Sequence, residues 1–327
     1  MLESRTVKAL GWATALIALT AQADPGAPRP GENIPGADIV VTGSRESDGE
    51  RRGRAADYVR ALGVGGGQSA VARWVDPVCL KVIGIGGRPA QLVETRVRAA
   101  AAAAGVPIAA GRCSPNFTVS FVSDAGAVVR RIAGKSPSLL REVPAGRLHS
   151  LRQGDAPIRW WYMTELRGRD GDRLSDSPPP AAQMEGGGSL PTGPDGRILS
   201  LGGSSLVSTQ TVRTLRSATV IVDVDRSAGV PLSAVADYAA LIGFAEIGFG
   251  TGPRPGSILT LFDAPGLDGA GFEGAGFEGA GARAELTAWD KSFLCALYRI
   301  KLDRPGRYQR GRLAGAIADG TEERCSA

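Results

Sequence analysis

Phe117-Thr118-Val119-Ser120-Phe121-Val122 sets apolar residues against small polar ones at every second position. That period of two is the mark of a strand with one face in a core. Upstream, Leu80 to Ile85 carries the β-branched residues Val82, Ile83 and Ile85. Gly84, Gly86 and Gly87 then turn the chain, and Pro89 suits the first turn of a helix. Leu92, Val93, Arg96, Val97, Ala100 and Ala104 follow at helical spacing, and Gly105-Val106-Pro107 ends the run. Strand, helix and strand in this order predict one crossover unit of a sheet. Ala125 to Ile132 reads as a further short helix.

Downstream, Ile158 to Leu166 is aromatic and strand-like, and Thr209 to Leu215 and Ala218 to Val224 read as two strands. Pro231 introduces a helix that runs through Ile247, with Val235, Ala239, Ile242 and Ala245 along one face. Ser257 to Phe262 is a short apolar segment suited to pairing with the sheet. Thr287 and Asp290 form a capping box for a last helix, whose Trp289, Phe293 and Leu297 repeat every four residues as core. Pro305-Gly306 reads as a turn. The class is α+β: one domain over 71–327, with a mixed sheet, packed helices and long Gly/Pro-rich surface loops. Those loops fall at about 167–196, with Pro178-Pro179-Pro180 and Gly186-Gly187-Gly188, and at 264–284, where a five-residue motif repeats as GLDGA, GFEGA, GFEGA.

The N-terminus reads as an export signal over 1–23. Arg5 and Lys8 precede an apolar stretch from Ala9 to Ala21, and Ala21-Gln22-Ala23 offers a cleavage site. The stretch falls short of the ~20 residues that span a bilayer, so no stable membrane insertion is expected after cleavage. Residues 24–70 read as a flexible N-terminal segment, opening with Pro25, Pro28, Pro30 and Pro35 and ending on Gly63, Gly65, Gly66 and Gly67. Within it, Ala55 to Leu62 suits a helical turn or two. The formal charge of +5 in 327 residues is not gathered into a long basic stripe, which argues against nucleic acid as a partner. Four cysteines suit an oxidising compartment, so a periplasmic or secreted location is expected. Of the three connectivities that four cysteines allow, the local one joins Cys79 to Cys113 and Cys295 to Cys325.

Catalytic constellations are scarce. The single histidine, His149, excludes any site that needs two imidazoles and reads as a surface residue. No Gly-x-Ser-x-Gly elbow occurs; Gly202-Gly203-Ser204-Ser205 lacks the closing glycine. Gly134-Lys135-Ser136 and Gly84-x-Gly86-Gly87 each match only part of a phosphate or dinucleotide loop. Paired carboxylates are the catalytic chemistry that composition leaves open. Asp223 and Asp225 are expected on one face of a strand, with Asp237 and Glu246 on the helix that follows. No cofactor and no metal are expected.

The strand Pro115 to Phe121, the strand Ala218 to Asp225 entering a long helix, Ser257 to Phe262, and Leu286-Thr287-Ala288-Trp289-Asp290 running on to Leu297-Tyr298 resemble an uncharacterised family of secreted and periplasmic bacterial proteins. That family is remotely similar to zincin-like metallopeptidases, and the likeness covers roughly Trp74 to Arg312. It implies a zincin-like fold. In active zincins the corresponding helix, here Ala234 to Glu246, carries zinc-binding histidines and a glutamate base; this one has no histidine, so the likeness implies a scaffold without the metal site. Ile39 to Arg45 is similar to the start of receptor plug domains, but the repeated barrel strands are absent. The function expected is a non-catalytic envelope protein binding a protein, peptide or glycan. A carboxylate-dependent hydrolase and a purely structural envelope protein stay open beside it.

Overall fold

The computed structural model describes residues 47–65, 69–169, 208–249, 254, 256–263 and 285–320. The expected export signal, the segment at 39–42 read as strand-like, the expected excursion from residue 170 onward, the five-residue repeats and Cys325 lie outside them. The described residues belong to one compact unit, Glu46–Ala327. They confirm an α+β architecture: a four-stranded mixed sheet with helices on both faces. Strands β1 (Leu80–Ile83), β2 (Phe117–Val122), β3 (Ile158–Gly168) and β4 (Thr211–Asp223) lie in the order β1-β2-β4-β3. The first three in that order run parallel, and β3 is antiparallel to β4 at one edge.

The crossover between β1 and β2 is helix α2 (Gly87–Ala104). Gly84 makes the turn into it at φ 88°, and a Cβ there would sit 1.9 Å from the Phe121 carbonyl oxygen. Both the backbone angle and the space demand glycine. Gly84→Ala therefore costs about 1–3 kcal/mol, read as a lower urea midpoint with an unchanged slope. An unchanged midpoint would contradict this account of the turn.

The two faces of the sheet bury different clusters. Val93, Val97, Ala100 and Ala101 of α2 join Phe117, Val119, Trp160 and Tyr162 on one face. Against them lies α5 (Leu232–Phe244), in which every residue from Ala234 to Phe244 is buried. A helix apolar on all sides must be covered all round. Helices α2 and α6 (Ala288–Arg299) and the segment around Ile258 pack against it. The opposite face carries the smaller cluster of Trp161 and Ile221 with α3 (Ala125–Lys135), a 3-10 turn at Pro137–Leu140, and α4 (Ala145–Gln153). β3 is covered on both sides, which explains why Ile158 to Tyr162 are all buried despite their alternation.

Several sequence expectations change. The N-terminal segment does not stay loose up to residue 70. Helix α1 (Asp48–Leu62) has a Ser47/Glu50 capping box and buries Ala55, Tyr58, Val59 and Leu62. Its apolar stripe is thin and its other faces are charged, so local pattern understated it. It packs on α7 (Gly306–Ala318), which begins where Pro305-Gly306 was read as a turn. Pro305 is in fact the N-cap residue, and fully buried Gln309 fixes the helix. The Gln309 side chain accepts from Val71 N at 2.8 Å and donates to the Lys301 and Leu302 carbonyls at 3.2 and 2.9 Å.

The two strands read at Thr209–Leu215 and Ala218–Val224 are one. Met163 pairs with Ser217 and Thr164 with Leu215, which leaves exposed Arg216 as the extra residue of a bulge. Ser257 to Phe262 does not pair with the sheet; Ile258–Thr260 is a 3-10 turn, and Ile258 and Leu259 pack into the core. The excursion placed at 167 starts later, because β3 runs on to Gly168 and buried Arg167 pairs with Asp76 and Glu165.

Candidate functional site

The four candidate carboxylates come from different places and never converge. Asp223 ends β4, is 2% exposed, and accepts from Ala125 N at 3.1 Å and Arg226 N at 3.2 Å. Ala125 opens α3, so this carboxylate sits where a helix N-terminus favours negative charge. The buried Arg159 guanidinium stands 3.6 Å away. Asp225 does not share its strand face: the strand has ended, and Asp225 is exposed in the following turn.

Asp237, on α5, is gripped by Arg96 of α2 through Nε at 3.0 Å and a second nitrogen at 2.5 Å. It also accepts from Leu286 N at 3.2 Å. Glu246, past the end of α5, forms a two-pronged pair with Arg213 of β4 at 2.7 and 2.8 Å. Each buried or half-buried acid thus has its own arginine. Among the described residues no two of them share a partner, whereas two-carboxylate hydrolysis needs both groups on one bond.

His149 is exposed on α4. Among the described residues no group of three His, Cys, Asp or Glu side chains could hold a metal. Lys135 ends α3, and Gly84 to Gly87 serves the turn into α2, so neither glycine motif forms a phosphate cradle in the described residues. Gly202 to Ser205 lies outside them.

A buried acid that the sequence showed only as a helix cap proves to be the centre of a network. Asp290 accepts from Tyr58 Oη at 2.6 Å, Ser257 Oγ at 2.7 Å, Ile258 N at 2.8 Å and Thr287 N at 3.0 Å. Burial, followed by the Asp290 charge, pushes the Tyr58 phenol well above its ordinary range. Tyr58 is therefore a permanent donor. With every lone pair taken, this carboxylate joins α1, the Ser257 turn and α6, and has no capacity left for chemistry.

The unspent polar capacity lies elsewhere, between β3 and α5. Trp160 and Tyr162 project from β3 toward α5, where Tyr238 meets Trp160 edge-on at 6.3 Å. Half-buried Phe249 lies 6.1 Å from Trp160 and 6.3 Å from Tyr162, and Phe262 lies 5.7 Å from Tyr238. Tyr162 is spent: its hydroxyl donates to the Ile242 carbonyl at 2.8 Å and accepts from Ile247 N at 3.2 Å. Tyr238 is not, for its hydroxyl makes no hydrogen bond among the described residues, and burial pushes its pKa up to about 12. It too remains protonated.

Two arginines close this wall. Arg147 of α4 stacks 5.0 Å from the Trp160 ring centre and 4.7 Å from that of Phe249. Arg254 lies 5.9 Å from Trp160 and donates to the Gly248 carbonyl at 2.8 Å. Among the described residues Arg147 has no carboxylate partner and no hydrogen bond, and its Nε is sealed from water. Burial pulls its pKa below the ordinary arginine range, and the nearby Arg254 charge adds to that. In the sequence Trp160 and Tyr162 read as strand residues, and Arg147 carried no signal of its own. Only the pairing of β3 with α5 and the position of α4 bring them together.

The chain was compared with protein-family models, curated proteins and solved structures, and nothing matches in any of the three. Cys79 and Cys113 form a disulfide, closing the loop around α2. Cys295 is also disulfide-bonded, while its expected partner Cys325 lies outside the described residues. No described helix is long and apolar enough to cross a membrane.

Proposed function

We propose that the chain is an exported, non-catalytic protein of the bacterial envelope that binds a protein, peptide or glycan on a zincin-like scaffold lacking the metallopeptidase site. The observation that carries this reading is the separation of the acids. Asp223, Asp237 and Glu246 are each neutralised by a different arginine, and Asp225 stands apart in solvent. A carboxylate gripped by an arginine has its oxygens engaged in that pair, which suits neither a general acid nor a free nucleophile. Export is supported by the three-part leader and by disulfide-bonded cysteines, which persist in oxidising compartments. The zincin-like reading is supported by the mixed sheet with an antiparallel edge strand beside a buried helix that has no histidine.

The test is incubation of the mature protein with envelope peptides and glycans, followed by mass spectrometry of bound and released species. Capture without turnover is the expected result. Turnover lost in Asp223→Asn, Asp237→Asn or Glu246→Gln would overturn the proposal in favour of a carboxylate-dependent hydrolase. Near-ultraviolet circular dichroism separates that loss from unfolding.

A further inference from the structure

We infer that Arg147 and the Tyr238 hydroxyl, set on the Trp160–Phe249 wall, form a recognition site for the carboxylate of an acidic sugar. The inference deepens the binding role proposed above and rests on it. Among the described residues Arg147 is a cation without an ion pair or hydrogen bond, half-buried, and stacked on two rings. Its Nε is covered, while its two terminal nitrogens are not among the sealed, unpartnered atoms. They offer a planar fork of donors, which matches the two oxygens of a carboxylate. The Tyr238 hydroxyl, also without a partner among the described residues, adds a neutral donor and acceptor within electrostatic range of Arg147.

Arg254 carries a second positive charge against the same indole. Among the described residues no carboxylate contacts Arg147, so an incoming anion displaces no internal partner from it. Desolvation makes such a pair stronger than an exposed one, because the guanidinium has already lost part of its hydration.

Three observations favour a sugar over a peptide or a phosphate. The neighbouring rings of Phe249 and Phe262 are only half-buried and offer apolar faces to a sugar ring. The Tyr238 hydroxyl suits a sugar hydroxyl. An extended peptide would need the outer edge of β3, yet there Thr164 N already donates to Glu142 Oε2 at 2.8 Å. A phosphate would place a second negative charge against the aromatic wall formed by Trp160 and Phe249.

Mature protein titrated with sodium glucuronate, glucose, inorganic phosphate and the dipeptide Ala-Ala provides the test, followed by tryptophan fluorescence and calorimetry. Saturable glucuronate binding on the order of millimolar is expected, with the other three about tenfold weaker or more. Arg147→Lys keeps the charge but loses the fork and should weaken glucuronate about tenfold. Tyr238→Phe should weaken it severalfold, and it keeps the inference testable if the lysine variant does not fold. Equal binding by wild type and both folded variants overturns the site; tighter binding of phosphate or Ala-Ala overturns the ligand class. A glucuronate oligomer is analysed for cleavage in parallel. Cleavage would refute the non-catalytic role while leaving carboxylate recognition standing. Absence of both binding and cleavage would refute only the acidic-sugar assignment.

Discussion

Replacing Asp290 by alanine lowers the stability of the folded protein by about 3–5 kcal/mol, the usual cost of removing one side of a buried charged network. Four donors lose their acceptor at once: Tyr58 Oη, Ser257 Oγ, Ile258 N and Thr287 N. Three of them do not reach water readily, since Tyr58, Ser257 and Ile258 are at most 2% exposed. The loss falls on three elements, because the network ties α1 and the Ser257 turn to the start of α6. For a unit of this size the melting temperature drops by about 10 °C. Asp290→Asn keeps the shape but turns a donor toward donors, so it falls between alanine and wild type. Tyr58→Phe removes one bond of the four and costs about 1–2 kcal/mol. A melting temperature of Asp290→Ala within a degree of wild type would refute the network as a stabilising element.

Reduction of the Cys79–Cys113 bond should have a comparable effect. The bridge spans a sequence separation of 34 residues and encloses α2 between the starts of β1 and β2. In the chain-entropy account such a loop is worth about 3–4 kcal/mol. The double variant Cys79→Ser/Cys113→Ser should therefore lose that amount in urea unfolding. Its residual stability rests on the α2–α5 interface and on Asn116, whose side chain accepts from Cys79 N at 2.7 Å and donates to the Pro77 carbonyl at 3.1 Å. Non-reducing peptide mapping of the mature protein should recover Cys79 joined to Cys113. Free thiols at both positions would contradict the bridge and remove one support for export.

Elements whose own residues carry a strong period were legible in the chain. Phe117 to Val122 is observed with the expected bounds because alternation commits both the strand and its buried face. The capping box of Thr287 and Asp290 starts α6 where the sequence placed it, since both halves of the box lie within one turn. The Cys79–Cys113 pairing followed from the compact unit between the two cysteines. By contrast, α1, α4 and α7 carry only a few apolar residues among arginines and glycines. Their helicity comes from burial against other elements, as with Gln309 and Tyr58, whose partners lie more than 200 residues away.

The same division runs through the site. Sequence alone determined what chemistry is absent: one histidine cannot supply two imidazoles, and a helix without histidine cannot hold zinc as a metallopeptidase does. It also determined the class of the fold, because the order of strongly periodic elements is written locally. It could not decide whether the acids meet, since charge pairing depends on distances between segments far apart in the chain. Only the tertiary structure assigned Arg96 to Asp237 and Arg213 to Glu246, and left Asp225 in solvent. Only the tertiary structure, too, set Arg147 over Trp160 and Phe249. Among the described residues, the groups around this cation come from α4, β3, α5 and the segment beyond it, which no local pattern of the chain brings together.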